Sequence, residues 1–106
     1  RIVLARPPRR ARAAAWSAAE AAAILRAMRI LVANANTTDA ITQACAAAAR
    51  ASASPGTEIV AATPAFGPAV ISTRAENAIA AHALLDCLAG HAGRVEAVVL
   101  AVSHDT

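Results

Sequence analysis

From Met28 onward, short apolar runs alternate with helix-prone stretches, and this alternation restricts the fold more than any other feature of the sequence. The apolar runs RILVAN, TEIVAA and VEAVVLAV occupy residues 29–34, 57–62 and 95–102, and each is typical of a buried parallel strand. Helix-prone sequence fills the two intervals between them. The order βαβαβ, with short connections, therefore predicts an α/β fold in which helices cover a short parallel sheet in three layers.

Two helices are predicted, the first ending near Ser52 and the second spanning residues 74–89. Capping side chains and a first-turn carboxylate mark the start of the first helix: Asn36, Thr37, Thr38 and Asp39. Gly90 is expected to end the second helix. The spacing of apolar residues predicts a buried face for each helix: Ile41, Cys45 and Ala48 in the first, and Ala78, Ala81, Leu85 and Leu88 in the second.

The basic charge of the chain is concentrated at its beginning. Residues 1–27 hold six arginines and one glutamate, a net charge of +5, whereas residues 28–106 hold four arginines and six acidic residues, a net charge of −2. The basic run is short and offers no aromatic stacking surface, so we expect no nucleic-acid partner. We interpret residues 1–27 as a basic extension that is disordered or precedes a true start at Met28, with a transit peptide as the alternative. Residues 28–106 form the predicted domain.

The two cysteines, Cys45 and Cys87, both fall within predicted helices and lack the spacing of metal ligands. We interpret them as buried free thiols and expect neither a disulfide nor a metal site. No uninterrupted apolar run reaches the roughly 18 residues that a membrane span needs. We therefore expect a cytoplasmic protein with no membrane partner.

Polar side chains follow the first predicted strand, at the edge of the sheet where parallel α/β proteins bind ligands. The segment NANTT, residues 34–38, combines carboxamides and hydroxyls with the free N–H groups of a helix N-terminus. This chemistry suits a carboxylate or a ring imide, with Asn34, Asn36 and Thr37 as candidate binding residues. The structural alternative is that Asn36 or Thr37 simply caps the helix. The loop over residues 63–73 follows the second strand at the same edge.

Of the three histidines, only His104 stands just past a predicted strand end, where side chains face a pocket. His82 and His91 have no carboxylate or cysteine at a useful spacing, and we interpret them as structural or solvated. Ser103, His104 and Asp105 contain the residue types of a hydrolase triad. Neighbouring residues on an extended segment point in alternate directions, however, so these three cannot align as nucleophile, base and orienting group.

Three segments, in the same order, resemble hydantoin and allantoin racemases of the aspartate/glutamate racemase superfamily. MRILVANANTT resembles their opening strand followed by Asn-Pro-Asn-Thr, with Ala35 in place of the proline. SPGTEIVAATPAFGPAVISTRAENAIAAHALLD resembles their second strand, loop and helix, and VEAVVLAVSHDT resembles the segment that holds their first catalytic cysteine. The match covers residues 28–106 and implies the amino-terminal half of a pseudo-symmetric, two-domain racemase fold.

The resemblance implies a cofactor-independent, metal-free isomerase in which two cysteines remove and return a proton at the carbon beside a carbonyl. In this family the first catalytic cysteine commonly stands in the motif Ala-Cys-Phe-x-Asp. Matching Ala101 and Asp105 to its alanine and aspartate places Val102 at the position of the cysteine. Valine can neither take nor give a proton, so we do not expect two-base racemisation through this position. Ser103 or His104 would take the role if the strand end shifts by one residue. The last candidate substrate-binding residues are Asp105 and Thr106.

Three functions stay open from the sequence. The resemblance implies a racemase-like isomerase whose partner is a small carboxylate, amino acid or hydantoin, and a one-cysteine enzyme resembling arylmalonate decarboxylase is the second reading. The third is a non-catalytic α/β module that binds an anion or another protein. Because one cysteine and the second half of the fold are missing from this sequence, we expect the chain alone to be inactive. The uncovered surface predicts homo-oligomerisation, aggregation or partial order.

Overall fold

The computed structural model describes residues 2–4, 17–20 and 28–101. Its elements are, in chain order, β1 (Ile2–Leu4), β2 (Arg29–Ala33), α1 (Asp39–Ser52), β3 (Glu58–Ala62), α2 (Arg74–Ala89) and β4 (Ala97–Leu100). From Met28 onward the order is βαβαβ, and the bounds of each element lie within two residues of the predicted ones. The predicted α/β class, with helices between parallel strands, is confirmed.

The described strands form a sheet in the order β1-β4-β2-β3, with β2 at its centre. β2 runs parallel to both neighbours, and Leu31 pairs with Val60 of β3 and Val98 of β4. The apolar run of β2 is buried at Leu31, Val32 and Ala33, as expected of a strand covered on both faces. Because β2 is central, the residues that follow it reach the middle of the sheet edge.

β1 is an addition that the sequence did not predict, because it lies within the basic extension of residues 1–27. It pairs antiparallel with β4, and Val3 lies opposite Val98. This is an edge position, where a short strand supplies partners to the backbone groups of β4 that would otherwise face solvent. A helical turn over residues 18–20 is also described, with reciprocal bonds between Ser17 and Glu20. The rest of the extension lies outside the described residues.

The core occupies both faces of β2, because alternate residues of a strand point to opposite faces. Leu31 and Ala33 pack with Ala62 on one face. Their partners from α2 are partly buried: Leu84, Cys87 and Leu88. On the other face, Asn34 reaches Thr42 of α1. The two helices therefore cover opposite faces of the sheet, which gives the three predicted layers.

The predicted buried face of α1 is wrong by about one position. α1 buries Thr42 and Ala46, whereas Ile41 is 40% exposed, Ala48 is exposed and Cys45 is half-buried. An alanine-rich helix is apolar on several sides, so apolar spacing alone does not select one of them. The selection follows from Thr42, whose hydroxyl has a partner at the end of β2.

The predicted face of α2 is wrong at three of its four residues for the same reason, and Leu88 alone packs against the core. α2 buries Ala80 and Ala83 and half-buries Leu84 and Leu88, whereas Leu85 is 65% exposed. Two alanines of the predicted face are exposed as well: Ala78 and Ala81. The small buried side chains let the helix lie close to the sheet. Gly90 is the C-cap of this helix, as the sequence predicted.

Several large apolar side chains of the described residues face solvent: Ile41, Phe66, Val70, Ile79 and Leu85. Phe66 is supported by the His82 ring, at a centroid distance of 5.5 Å. None of the described helices is both long and apolar enough to cross a bilayer.

Candidate functional site

The candidate site lies at the carboxyl edge of the sheet, where the ends of three strands meet. Asn34 follows β2, and its backbone N–H donates to the carbonyl of Ala62 at the end of β3 at 3.1 Å. The backbone N–H of Ala101, just beyond β4, donates to Ala33 O at 2.9 Å. These bonds hold the three strand ends side by side, so residues that follow them share one surface.

The segment from Asn34 to Thr38, the polar turn, is shaped by its own carboxamides. Asn34 Oδ1 accepts from Asn36 N at 3.1 Å, and Asn34 Nδ2 donates to Asn36 Oδ1 at 2.9 Å. Asn36 Oδ1 also accepts from Thr38 N at 3.0 Å. Both side chains are buried. The carboxamides of this turn therefore bond mainly to the turn itself.

Asn34 is directed into the protein. Its side chain is 0% exposed, and Nδ2 also donates to Thr42 Oγ1 at 3.0 Å and to Thr38 O at 3.3 Å. A carboxamide has two N–H donors and one carbonyl oxygen, and protein groups occupy all of them here. Asn34 contributes to the site by holding the turn in shape.

The loop after β3 packs onto the polar turn. Thr37 N donates to Pro68 O at 3.0 Å, and Thr38 Oγ1 donates to Ala69 O at 2.7 Å. Gly67, beside Pro68, has a φ of 114°, a conformation that favours glycine. The loop of residues 63–73 and the polar turn are thus joined at two points at the carboxyl edge of the sheet.

The N-terminus of α1 does not have the predicted cap. Thr38 is the N-cap residue, and within the described residues its side chain makes no capping bond to the helix. Neither Asn36 nor Thr37 fills that role, because Asn36 bonds to Thr38 N and Thr37 bonds to the loop through its backbone. The positive end of the α1 dipole therefore faces the strand-end surface without side-chain capping.

Two threonines at this edge were not singled out from the sequence. Thr63 Oγ1 lies 2.8 Å from Asp39 Oδ1 and 2.8 Å from Thr42 Oγ1. Thr42 is fully buried, and Asp39 is exposed in the first turn of α1. A threonine on the helix face that covers a polar strand end is the signal that could have identified Thr42. Thr63 could have been identified as the first residue after β3.

The other predicted site residues lie outside the described residues: Val102, Ser103, His104, Asp105 and Thr106. Ala101 is the last residue described before them, and its carbonyl oxygen lies 3.9 Å from Cys45 Sγ. No group of three or more His, Cys, Asp or Glu side chains within the described residues could hold a metal ion.

Two further titratable side chains, Cys87 and His91, lie in or just after the last turn of α2. His91 Nδ1 lies 3.0 Å from Cys87 O at the end of that helix. Burial, together with the neighbouring Asp86 charge, raises the pKa of the Cys87 thiol. A raised pKa disfavours the thiolate, so Cys87 is poorly suited to act as a base. Both cysteines are free and half-buried within the part of the chain that the structure describes.

Comparisons with known proteins agree with this architecture. The family model of Asp/Glu/hydantoin racemase matches residues 30–106. The structure is similar to the allantoin racemase from Pseudomonas fluorescens, with a TM-score of 0.65 and 46% identity, over 69% of this chain and 31% of that one. It is also similar to the allantoin racemase from Klebsiella pneumoniae, with a TM-score of 0.58 and 44% identity, over 60% of this chain and 26% of that one. A comparison with curated protein sequences finds no match.

The match spans less than a third of each allantoin racemase. The family model, which matches residues 30–106, includes the polar turn and the loop of residues 63–73. Because the family model covers well over half of the sequence and the fold agrees, the chain belongs to the Asp/Glu/hydantoin racemase family.

Proposed function

We propose that the chain forms the strand-end site of a racemase-like isomerase that moves a proton at the carbon beside a carbonyl. The observation that carries the proposal is the 46% identity to an allantoin racemase of the same fold. The family match begins at residue 30 and so contains the whole polar turn. The substrate class that fits best is a hydantoin or a related cyclic ureide.

The electrostatics of the edge support a ring over a free carboxylate. The N–H groups at the start of α1 can donate to a carbonyl oxygen of a neutral ring. Asp39 places a carboxylate in the same first turn, and its Oδ1 accepts from Thr63. A second carboxylate would be repelled there, whereas a ring N–H would be accepted. Amino acids therefore fit this edge less well than hydantoins.

The proton transfer itself needs a base, and position 102 does not supply one. In the family mechanism a thiolate takes the proton, becomes a thiol and leaves an enolate, and a thiol on the opposite face returns a proton. Val102 stands at the first cysteine position and has no titratable group. We therefore propose that this chain binds the substrate class without racemising it. A one-cysteine reaction of the decarboxylase type would need its thiol from elsewhere, and Ser103 or His104 is the alternative base.

The free thiols also bear on location. Cysteines that stay unpaired fit a reducing compartment, and a cytoplasmic location is part of the proposal.

Restoring the missing thiol tests the proposed function. Val102→Cys and a matched Val102→Ser variant are incubated with L-5-isopropylhydantoin in D2O, and ¹H NMR follows the C5 proton. The native chain and V102S should exchange this proton at the rate of the buffer blank. V102C should exchange it at least about 100-fold faster, the lower range for a positioned acid–base group. One thiol returns the deuteron to the face it left, so the optical rotation should persist while deuterium enters.

Two results would contradict this assignment. If V102C folds as the native chain does but exchanges at the blank rate, the strand end is not a proton-transfer site. If the native chain already exchanges faster than the blank, another residue is the base, and His104→Ala and Ser103→Ala identify which one.

A further inference from the structure

A network of polar side chains joins the polar turn to the end of β3, and its two buried members, Asn34 and Thr42, have no part in the proposed proton transfer. Asn34 Nδ2 lies 3.0 Å from Thr42 Oγ1, which lies 2.8 Å from Thr63 Oγ1, which lies 2.8 Å from Asp39 Oδ1. Asn34 and Thr42 are both 0% exposed. The network therefore runs from the end of β2 through α1 to the end of β3, and it ends at the exposed Asp39.

The direction of each bond follows from the chemistry of the groups. Asn34 Nδ2 can only donate, so Thr42 Oγ1 accepts from it. An ionised carboxylate can only accept, so the single hydroxyl hydrogen of Thr63 goes to Asp39. Thr63 then has no hydrogen left for Thr42, so Thr42 donates to Thr63. Each hydroxyl of this network therefore has one orientation, and Asp39 Oδ1 is held in place at the end of the network.

The presence of a polar residue at position 42 requires an explanation. Thr42 lies one turn before Ala46 on the buried face of α1, a place where an apolar side chain of similar size would need no partner. Burying a hydroxyl is costly unless it is fully bonded, and a fully bonded network fixes one arrangement of its surroundings. The arrangement fixed here is that of the polar turn, Asp39 and the strand end at Thr63.

We propose that Thr42 is a positioning residue, which couples the polar turn to Thr63 and Asp39 and so holds the ligand-facing edge in its binding geometry. The inference rests on the proposed function, because it takes this edge to be the place where a hydantoin binds. Thr42 touches no ligand in this arrangement and acts through Asn34 and Thr63.

The test is ligand affinity in variants that differ by one hydroxyl. Hydantoin is titrated into ¹⁵N-labelled native chain, Thr42→Val and Thr42→Ser, under conditions where each variant gives the amide spectrum of a folded protein. T42V should raise the dissociation constant at least about tenfold, equivalent to roughly 1.4 kcal/mol, and shift the amide signals of Asn36 and Thr37. T42S should return affinity to within about threefold of the native value, because it restores the hydroxyl.

Thr63→Val provides a second test that does not disturb the buried helix face. It should also raise the dissociation constant for hydantoin, because it breaks the same hydrogen-bond network at Thr63, which is half-buried. The inference is overturned if T42V or T63V folds and binds hydantoin as tightly as the native chain, or if T42S fails to rescue binding. If the native chain itself shows no binding, the proposed function fails and the positioning role fails with it, a result distinct from binding that is insensitive to Thr42.

Discussion

The two helices that begin at the carboxyl edge of the sheet have the same kind of N-terminus and use it differently. Each follows a threonine, Thr38 or Thr73, and each has an acid in its first turn, Asp39 or Glu76. In α2, Thr73 Oγ1 accepts from Glu76 N at 3.1 Å and the Glu76 carboxylate accepts from Thr73 N at 2.9 Å. In α1, Thr38 donates to Ala69 O at 2.7 Å, and no side chain of the described residues caps the helix from that position.

The difference arises from where the acid stands. Glu76 is the third residue of its helix, the spacing of a capping box, so α2 closes its own end. Asp39 is the first residue of its helix and cannot reach back in this way. The start of α1 is instead stabilised by the buried carboxamide of Asn34, which bonds to Asn36 and Thr42. Local capping thus stabilises the start of α2, whereas the start of α1 depends on a buried network and has no side-chain cap from its N-cap residue.

The largest effect is expected from breaking that network. Asn34→Ala removes the partners of Asn36 N and Thr42 Oγ1, which stay buried, and should lower the free energy of unfolding by about 3 kcal/mol. Urea denaturation followed by circular dichroism measures this. Gln43→Ala, which removes an exposed bond to Asp39, is the control and should change stability by less than about 0.5 kcal/mol. A loss below about 1 kcal/mol for N34A would show that the α1 end does not depend on Asn34.

The two threonine caps should differ when each is replaced by alanine. Thr73→Ala breaks the capping box and should cost about 1 kcal/mol. Thr38→Ala loses only an exposed bond to the loop, for which about 0.5 kcal/mol is expected, and should speed amide hydrogen exchange in residues 63–73. Urea midpoints and exchange rates of the pair provide the comparison. Equal losses, with unchanged exchange in the loop, would mean that the two ends are stabilised in the same way.

The sequence predicted the elements of this edge better than the faces of its helices. Alternating apolar runs located β2, β3 and β4, and the residues that follow β2 were correctly identified as a polar turn before a helix. The predicted buried faces were wrong because alanines occur on every side of both helices. Ile41 and Leu85 were therefore expected to be buried, but they are exposed. The structure instead turns Thr42 inward, where it is fully buried and bonds to Asn34.

The roles within the candidate site were harder to predict than its position. Sequence spacing placed Asn34, Asn36 and Thr37 together, but it did not show that Asn34 bonds inward or that Thr63 joins them from 21 residues beyond Thr42. Such contacts depend on strand register, which pairs Ala33 with Ala62. The assignment of Val102 and the four residues after it stays a prediction.

Glu76, the acid of the α2 capping box, should make the stability of the protein depend on pH. The backbone N–H groups of Ser72 and Thr73 donate to the Glu76 carboxylate and hold its pKa below its usual value of 4.5. A pKa lowered by folding stabilises the protein above the usual value, and this contribution is lost as the pH falls through the lowered pKa. Glu76→Gln keeps an oxygen for the capping box but does not titrate.

Stability curves between about pH 6 and pH 3 therefore distinguish the two proteins. The native chain should lose more stability than E76Q as the pH falls below 4.5, and the difference between them should be largest at neutral pH. Thermal midpoints over this range give the measurement. Parallel curves would show that the charge of Glu76 contributes nothing to α2.

The smallest effect tests whether the α1 end is the one that faces a ligand. Asp39→Asn keeps an acceptor for Thr63 and removes the charge from the first turn. A charge beside a helix end is worth about 0.3–1 kcal/mol, so removing the repulsion between Asp39 and succinate should lower the dissociation constant for succinate about two- to fivefold. The constant for uncharged hydantoin should change less than about twofold, because the amide oxygen of the variant still accepts the ring N–H. E76Q removes one charge from the start of α2 and should change neither the succinate nor the hydantoin dissociation constant. NMR titrations of both variants give the comparison. If D39N and E76Q respond alike, the two helix ends are equivalent to a ligand, and capping by Thr73 and Glu76 does not decide where the ligand binds.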